Sequence, residues 1–309
     1  MNENVKEKKP KRIPKIFKNF QVLKHPFALF FYVLIILYII TLIVPCAWMI
    51  ISTFKDHLEF KINRFGWPED FTWENYKYVF SYLNVPVASK ESGIVVMEMP
   101  RLMLNSILYA GLVNAAALCM QTLVAYGCAK YKSKVGSILY VFAIITMILP
   151  LVGTMAGRLS LYRSLGIYDK FLGTVFAFAG WGGSNFLLLY ATFKGVSNEY
   201  RDAAFIDGAG HARVMFTIMI PMVKTTYLAL FILGFISSWN DYSTPMVYLR
   251  SFPTIAYGLF RFTHLSESKT SRVPMQITGC VVVMIPLIIL FLIFRNKIMG
   301  NLAIGGLKG

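Results

Sequence analysis

The chain has 309 residues, of which 56% are hydrophobic and only 15% charged, and its formal net charge is +16. About a quarter of the residues of an ordinary soluble domain are charged, so this balance excludes that class and places the chain among integral membrane proteins. Nor does the positive charge point to nucleic acid, because the basic residues are spread over a tail and several loops instead of one soluble face.

The first 26 residues carry Lys6, Lys8, Lys9, Lys11, Arg12, Lys15, Lys18 and Lys24 against Glu3 and Glu7. This predicts a basic tail over 1–26 that stays cytoplasmic under the positive-inside rule and touches anionic lipid headgroups. The apolar run from Phe27 is too long for a signal peptide and lacks a small-residue cleavage site. Crossing about 30 Å of hydrocarbon takes roughly 20 helical residues. Phe27–Ile51, Leu102–Ala129, Ser137–Gly157, Phe171–Thr192, Tyr227–Leu249 and Met275–Phe294 all meet that length. The expectation is therefore an all-α membrane protein of six transmembrane helices. Residues 27–296 form its transmembrane domain, 297–309 a cytoplasmic C-terminal tail, and 130–136 and 194–224 the inner loops.

Ser52 to Pro100 is the longest outer segment, with a turn at Trp67-Pro68 and a short helical pattern after Asp70. It is too small for an independent domain, and its Trp and Tyr residues suit the headgroup level. The second run ends in Lys130, Lys132 and Lys134, which mark the inner face. In the third, Pro150 removes one backbone hydrogen bond and bends the helix. The fourth contains Ser184 and Asn185, and the fifth Ser237, Ser238, Asn240 and Asp241. Polar groups inside a membrane face protein or a water-filled path, so Asn185, Ser237, Ser238 and Asn240 are the candidate pore-lining residues. Hydrogen bonding between helices accounts equally well for any one of them. Asp241 is expected near the outer interface, hydrated.

Cys46, Cys119, Cys128 and Cys280 fall in or beside apolar runs without metal-ligand spacing, so neither a metal site nor a disulfide framework is implied. No phosphate-cradling G-x-x-x-x-G-K-[ST] is present. His25, His57, His211 and His264 join no nucleophile or metal constellation. The reading is a non-catalytic chain without a cofactor.

Residues 194–224 should be a short polar hairpin, yet they hold small residues followed by an apolar run. Ala203, Ala204, Gly208, Ala209 and Gly210 would let a short helix sit flush in a cleft of another protein. Gly208 supplies the positive φ that ends such a helix, and Asp202 in the first turn complements its dipole. Glu199, Asp202 and Asp207 disfavour lying flat on anionic lipid. The stretch Asp202-Ala203-Ala204-Phe205-Ile206-Asp207-Gly208-Ala209, with nine residues between Gly208 and Ile218-Met219-Ile220-Pro221, resembles the EAA loop of binding-protein-dependent ABC importers. That pattern reads EAA, three residues, Gly, nine residues, I-x-L-P. Asp202 stands where Glu is usual and Ile220 where Leu is usual.

Further matches are Asn75-Tyr76, Ala125-Tyr126, Leu161-Tyr162, Leu165-Gly166-Ile167, Trp239-Asn240-Asp241-Tyr242 and the terminal Gly306-Leu307-Lys308-Gly309. They are similar to carbohydrate-uptake importers, nearest to the second permease subunit of the maltose-type class. The resemblance implies a type I importer fold and an inner-membrane location. It also implies a second, different permease, two ATPase subunits and an extracytoplasmic binding protein that delivers a sugar. Glu199, Asp202, Ala203, Ala204, Asp207, Gly208, Ala209 and Pro221 would form the ATPase-coupling surface, and the outer loop around 250–272 would reach the binding protein. Direct sugar contacts would belong mainly to the other permease. An importer for another solute, such as glycerol phosphate, shares the same loop. An ATP-independent secondary carrier would show inverted repeats with broken midplane helices, and the sequence displays neither.

Overall fold

The computed structural model describes residues 26–89, 93–149, 153–264 and 272–302. The basic tail, Pro150 and the terminal Gly306-Leu307-Lys308-Gly309 lie outside them. Apolar residues in every turn make Pro26–Ser52 a 27-residue helix, α1. Its large side chains from Phe27 to Val44 are exposed almost without break; lipid tails are as apolar as leucine, so such a surface needs no protein cover.

The end of α1 is tied down by polar groups. Asp56 caps α2 (His57–Ile62) by accepting the Leu58 N–H at 3.1 Å, which holds its carboxyl below the usual carboxylate range. In α3 (Glu74–Tyr82), buried Asn75 donates to the carbonyls of Thr53 and Lys55 at 2.9 and 2.8 Å. The neighbouring Tyr76 hydroxyl shares a 2.8 Å hydrogen bond with Thr53. The Asn75-Tyr76 pair is thus the latch between the first span and the segment after it.

One departure from an all-helical chain follows. Val85–Ser89 (β1) and Gly93–Met97 (β2) form an antiparallel hairpin in which Val85 faces Met97 and Val87 faces Val95. Buried Val85 and Val87 alternate with exposed Pro86 and Ala88, the period of a half-buried strand. Pro86 is tolerated because both strands of a two-stranded sheet are edges.

The spine of the molecule is α4 (Met99–Lys130), 32 residues long. After it come α5 (Lys134–Ile148), α6 (Thr154–Ser164), α7 (Phe171–Phe178), α8 (Ser184–Gly195), α9 (Glu199–Ile206) and α10 (His211–Val214). A π-helical turn over Met215–Met219 leads into α11 (Ile220–Met222). The chain closes with α12 (Lys224–Trp239), α13 (Ser243–Tyr248), α14 (Ile255–His264) and α15 (Val273–Leu302). Side chains of α4 reach its neighbours along its whole length. Asn105 donates to the Pro253 carbonyl at 2.9 Å and Ser106 accepts the Ile255 N–H at 2.7 Å. Tyr109 donates to Asp241 at 3.0 Å, Asn114 to the Phe231 carbonyl at 2.6 Å and Gln121 to the Gly182 carbonyl at 3.3 Å. Apolar packing divides into a cluster near the start of α4, around Leu102, Trp239 and Phe262, and another near its end, around Leu118, Phe186 and Phe193.

Among the described residues, Phe27–Ser52, Met99–Lys130 and Val273–Arg295 are each long and apolar enough to cross a bilayer. His211–Met222 with Lys224–Trp239 makes a fourth only as a pair bent by 77°. The expected unbroken spans over 171–192 and 227–249 are therefore corrected. The first breaks between α7 and α8, where Gly180, Gly182 and Gly183 cluster and Gly183 takes φ +102°; the second ends at Trp239. Of the third expected span, residues 150–152 lie outside the described residues; α5 covers its start and α6 its last residues. Apolar composition does not register the break at Gly180–Gly183, because a glycine-rich joint does not lower the hydropathy of the run yet is freer in φ.

The bundle has two distinct ends. The hairpin, the turn after α6 and the segment before α14 meet at the N-terminal end of α4, where Ser251 donates to Asp169 at 2.7 Å through its N–H and 2.9 Å through its hydroxyl. The turn 131–133 and the whole of 195–223 gather at the other.

Candidate coupling site

Helix α9 is a short amphipathic element closed by a Schellman motif. Gly208 adopts φ +79°, the Ala209 N–H returns to the Ala204 carbonyl at 2.9 Å and the Gly208 N–H to Phe205 at 3.0 Å. At its start Asp202 bonds back to Asn198, backbone to backbone, at 2.9 Å. Ala204 is buried and Phe205 and Ala209 are half-buried, so this face sits on the bundle. The opposite face presents Glu199, Asp202, Ala203, Asp207 and Gly208 to solvent, together with Ile206 at 86% exposure. Pro221, also predicted for this surface, lies exposed on the stretch that follows.

Pro221 has no N–H to offer the carbonyl four residues earlier. Directly before it the ladder widens to a π turn, in which the Ile220 N–H reaches Met215. The chain then bends at Val223 into α12. The I-x-I-P tail of the motif therefore builds a joint, with Ile218 and Ile220 half-buried and Met219 buried against the bundle.

The root of the loop holds residues whose part the sequence did not reveal. Lys130, read as a marker of the inner face, is only 4% exposed. Its ammonium donates to the Val196 carbonyl at 2.5 Å and to Asn198 Oδ1 at 3.1 Å. Arg201 donates to the Lys130 carbonyl, pairs with Asp202 at 2.8 Å and lies over the Tyr131 ring, 5.8 Å from its centroid. Tyr131 shares a 2.7 Å hydrogen bond with His211 Nδ1, and His211 meets Phe205 edge-on at 4.8 Å. The available signal was the adjacency of Lys130 and Tyr131 at a helix end, which no motif records.

The candidate pore-lining residues are not gathered round one space. Asn185 stands half-buried in the first turn of α8, just after the glycine-rich break. Ser237 and Ser238 lie near the end of α12, and Asn240 caps it, donating to the Ile236 carbonyl at 2.9 Å. Asn240 also borders an open, largely apolar cavity of about 550 Å³ with Trp48, Tyr242, Phe260 and Gln276, which the other three do not line. Asp241 is engaged structurally, accepting from Tyr109, from Ser243 and from the Thr244 N–H. Among the described residues no cluster of His, Cys, Asp and Glu could hold a metal ion.

Residues 121–302 match the family described as binding-protein-dependent transport system inner membrane component. The arabinooligosaccharides transport system permease protein of Bacillus subtilis (strain 168) is 26% identical over 295 residues, covering 94% of this chain and 98% of that protein. The diacetylchitobiose uptake system permease protein of Streptomyces coelicolor is 23% identical over 282 residues, covering 90% and 88%. A chain of a bacterial ABC transporter involved in the import of the acidic polysaccharide alginate superposes with a TM-score of 0.72 at 21% identity, over 87% of this chain and 95% of that one.

Proposed function

The chain belongs to the family of binding-protein-dependent transport system inner membrane components, and from that premise we propose that it is one permease subunit of an ATP-driven importer of sugars or oligosaccharides. It forms half of the translocation path and receives the stroke of an ATPase on α9. The observation that carries this reading is α9 itself: a short helix with a buried face, a free face and a Gly208 stop, at the motif's spacing. The substrate class follows the relatives, which are named as permeases for arabinooligosaccharides and diacetylchitobiose.

In this reading residues 27–296 make six crossings, several of them as broken helices, with both tails in the cytoplasm. The end of the bundle that holds 131–133 and 195–223 faces the ATPases. The opposite end, with the hairpin and the 249–264 segment, faces the binding protein. Broken helices alone would favour a secondary carrier; the family match and the docking helix favour the importer. A sugar stripped of water needs a partner for each hydroxyl, and the scattered Asn185, Ser237, Ser238 and Asn240 are too few to line a path. A second permease supplies the rest, and ATP hydrolysis belongs to the partner subunits.

The test is uptake of a panel of labelled oligosaccharides into proteoliposomes. Uptake is expected only when this chain, its paired permease, the ATPase and the binding protein are present with hydrolysable ATP. Sugar-specific uptake by this subunit alone would overturn the proposal in favour of the carrier.

A further inference from the structure

We infer that Lys130 and Arg201 form a two-way tether that passes the displacement of α9 to α4, which makes them positioning residues of the transport cycle. The inference rests on the coupling role proposed above for α9. A lysine that merely marks the cytoplasmic end of a span would extend its ammonium into water. Lys130 does the opposite: it is the last residue of α4, only 4% exposed, and turns into the loop. Burying a cation is unfavourable unless its donors are satisfied. Here they are spent on Val196 and Asn198, the residues that lead into α9.

The connection is reciprocal. Arg201, on α9, donates to the carbonyl of Lys130, at the negative end of the α4 dipole. Tyr131 adds a third tie to His211, beyond the far end of α9. Residues before, within and after the docking helix are therefore all fastened to two consecutive positions, 130 and 131.

Stiffness favours this route. Along the chain, α9 reaches α12 only through a π turn and a 77° bend, joints that yield under load. Through the tether it reaches a continuous helix of 32 residues, about 48 Å long at the helical rise. That helix is bonded in turn to Phe231, Asp241 and Pro253. A push on α9 thus moves α4, and with it the far end of the bundle.

The experiment measures solute imported per ATP hydrolysed, in proteoliposomes carrying the complete transporter. Lys130→Met and Arg201→Gln are expected to assemble with the ATPase and to keep basal hydrolysis, while the ratio falls about tenfold, the equivalent of about 1.4 kcal/mol of lost coupling. Lys130→Arg, which keeps a charged donor, is expected to retain most of the ratio. If Lys130→Met does not assemble, Lys130→Gln and Arg201→Gln decide. Uptake and hydrolysis falling in parallel, or an unchanged ratio, would overturn the tether while leaving the coupling role of α9 intact. A wild-type complex without ATP-dependent uptake would remove the coupling role itself, and the tether with it.

Discussion

At Gly208 a single dihedral sets the shape of the loop proposed to dock. Its φ of +79° costs an L-residue about 1–2 kcal/mol, and a β-branched side chain makes the strain worse. Among the described residues, its chain neighbours aside, no atom lies within 4 Å of a Cβ placed there, so within this subunit the penalty is conformational and not steric. Gly208→Val is accordingly expected to insert into the membrane but to abolish uptake. Gly208→Asn, which tolerates the left-handed region, is expected to keep a measurable part of it. Uptake assays alongside a membrane-fraction immunoblot separate the two effects, and wild-type transport by Gly208→Val would remove the docking assignment.

At the scale of elements, one glycine of α12 makes room for a side-chain amide of α4. A Cβ at Gly234 would lie 2.0 Å from Asn114 Oδ1, while Asn114 donates to the Phe231 carbonyl at 2.6 Å. Small residues permit such close approach between membrane helices, and a side-chain amide then binds across the gap. Gly234→Val should push the Asn114 amide out of its place, with loss of a hydrogen bond worth about 1 kcal/mol and an overpacking cost of about 1 kcal/mol, the low end of the usual range. A lower thermal midpoint in detergent is the expected result. Adding Asn114→Ala should recover part of the loss, because the two sites are in contact and not additive. A double variant no better than the sum of the singles would show that the clash lies elsewhere.

For the molecule as a whole, the arrangement of its ends yields a topology that labelling can check. In a background lacking Cys46, Cys119, Cys128 and Cys280, an impermeant thiol reagent applied to intact cells is expected to reach Ile62→Cys and Ser164→Cys. Ser133→Cys and Asp207→Cys should stay unlabelled until the membrane is opened. All four positions are exposed on the chain, so in cells that express this subunit without its ATPase a failure to label reports the barrier and not burial. Labelling of Asp207→Cys from outside would invert the topology and take the ATPase-facing role of α9 with it.

Some of this protein was legible from residues alone. The membrane class, the positions of α1, α4 and α15, and the short helix of 194–224 with its stop at Gly208 follow from composition, the length of apolar runs and a fixed spacing. These are local quantities, set by neighbours in the chain. The joints at Gly180–Gly183 and Val223, the β-hairpin and the partners of Asn75, Asn114 and Lys130 came to light only in the folded chain. The three polar side chains each depend on a partner well removed along the chain: Asn75 on Thr53, Asn114 on Phe231, Lys130 on Val196. Hydropathy fixes which residues leave water. It is blind to which carbonyl a buried amide or ammonium meets, and that pairing exists only once the helices have packed.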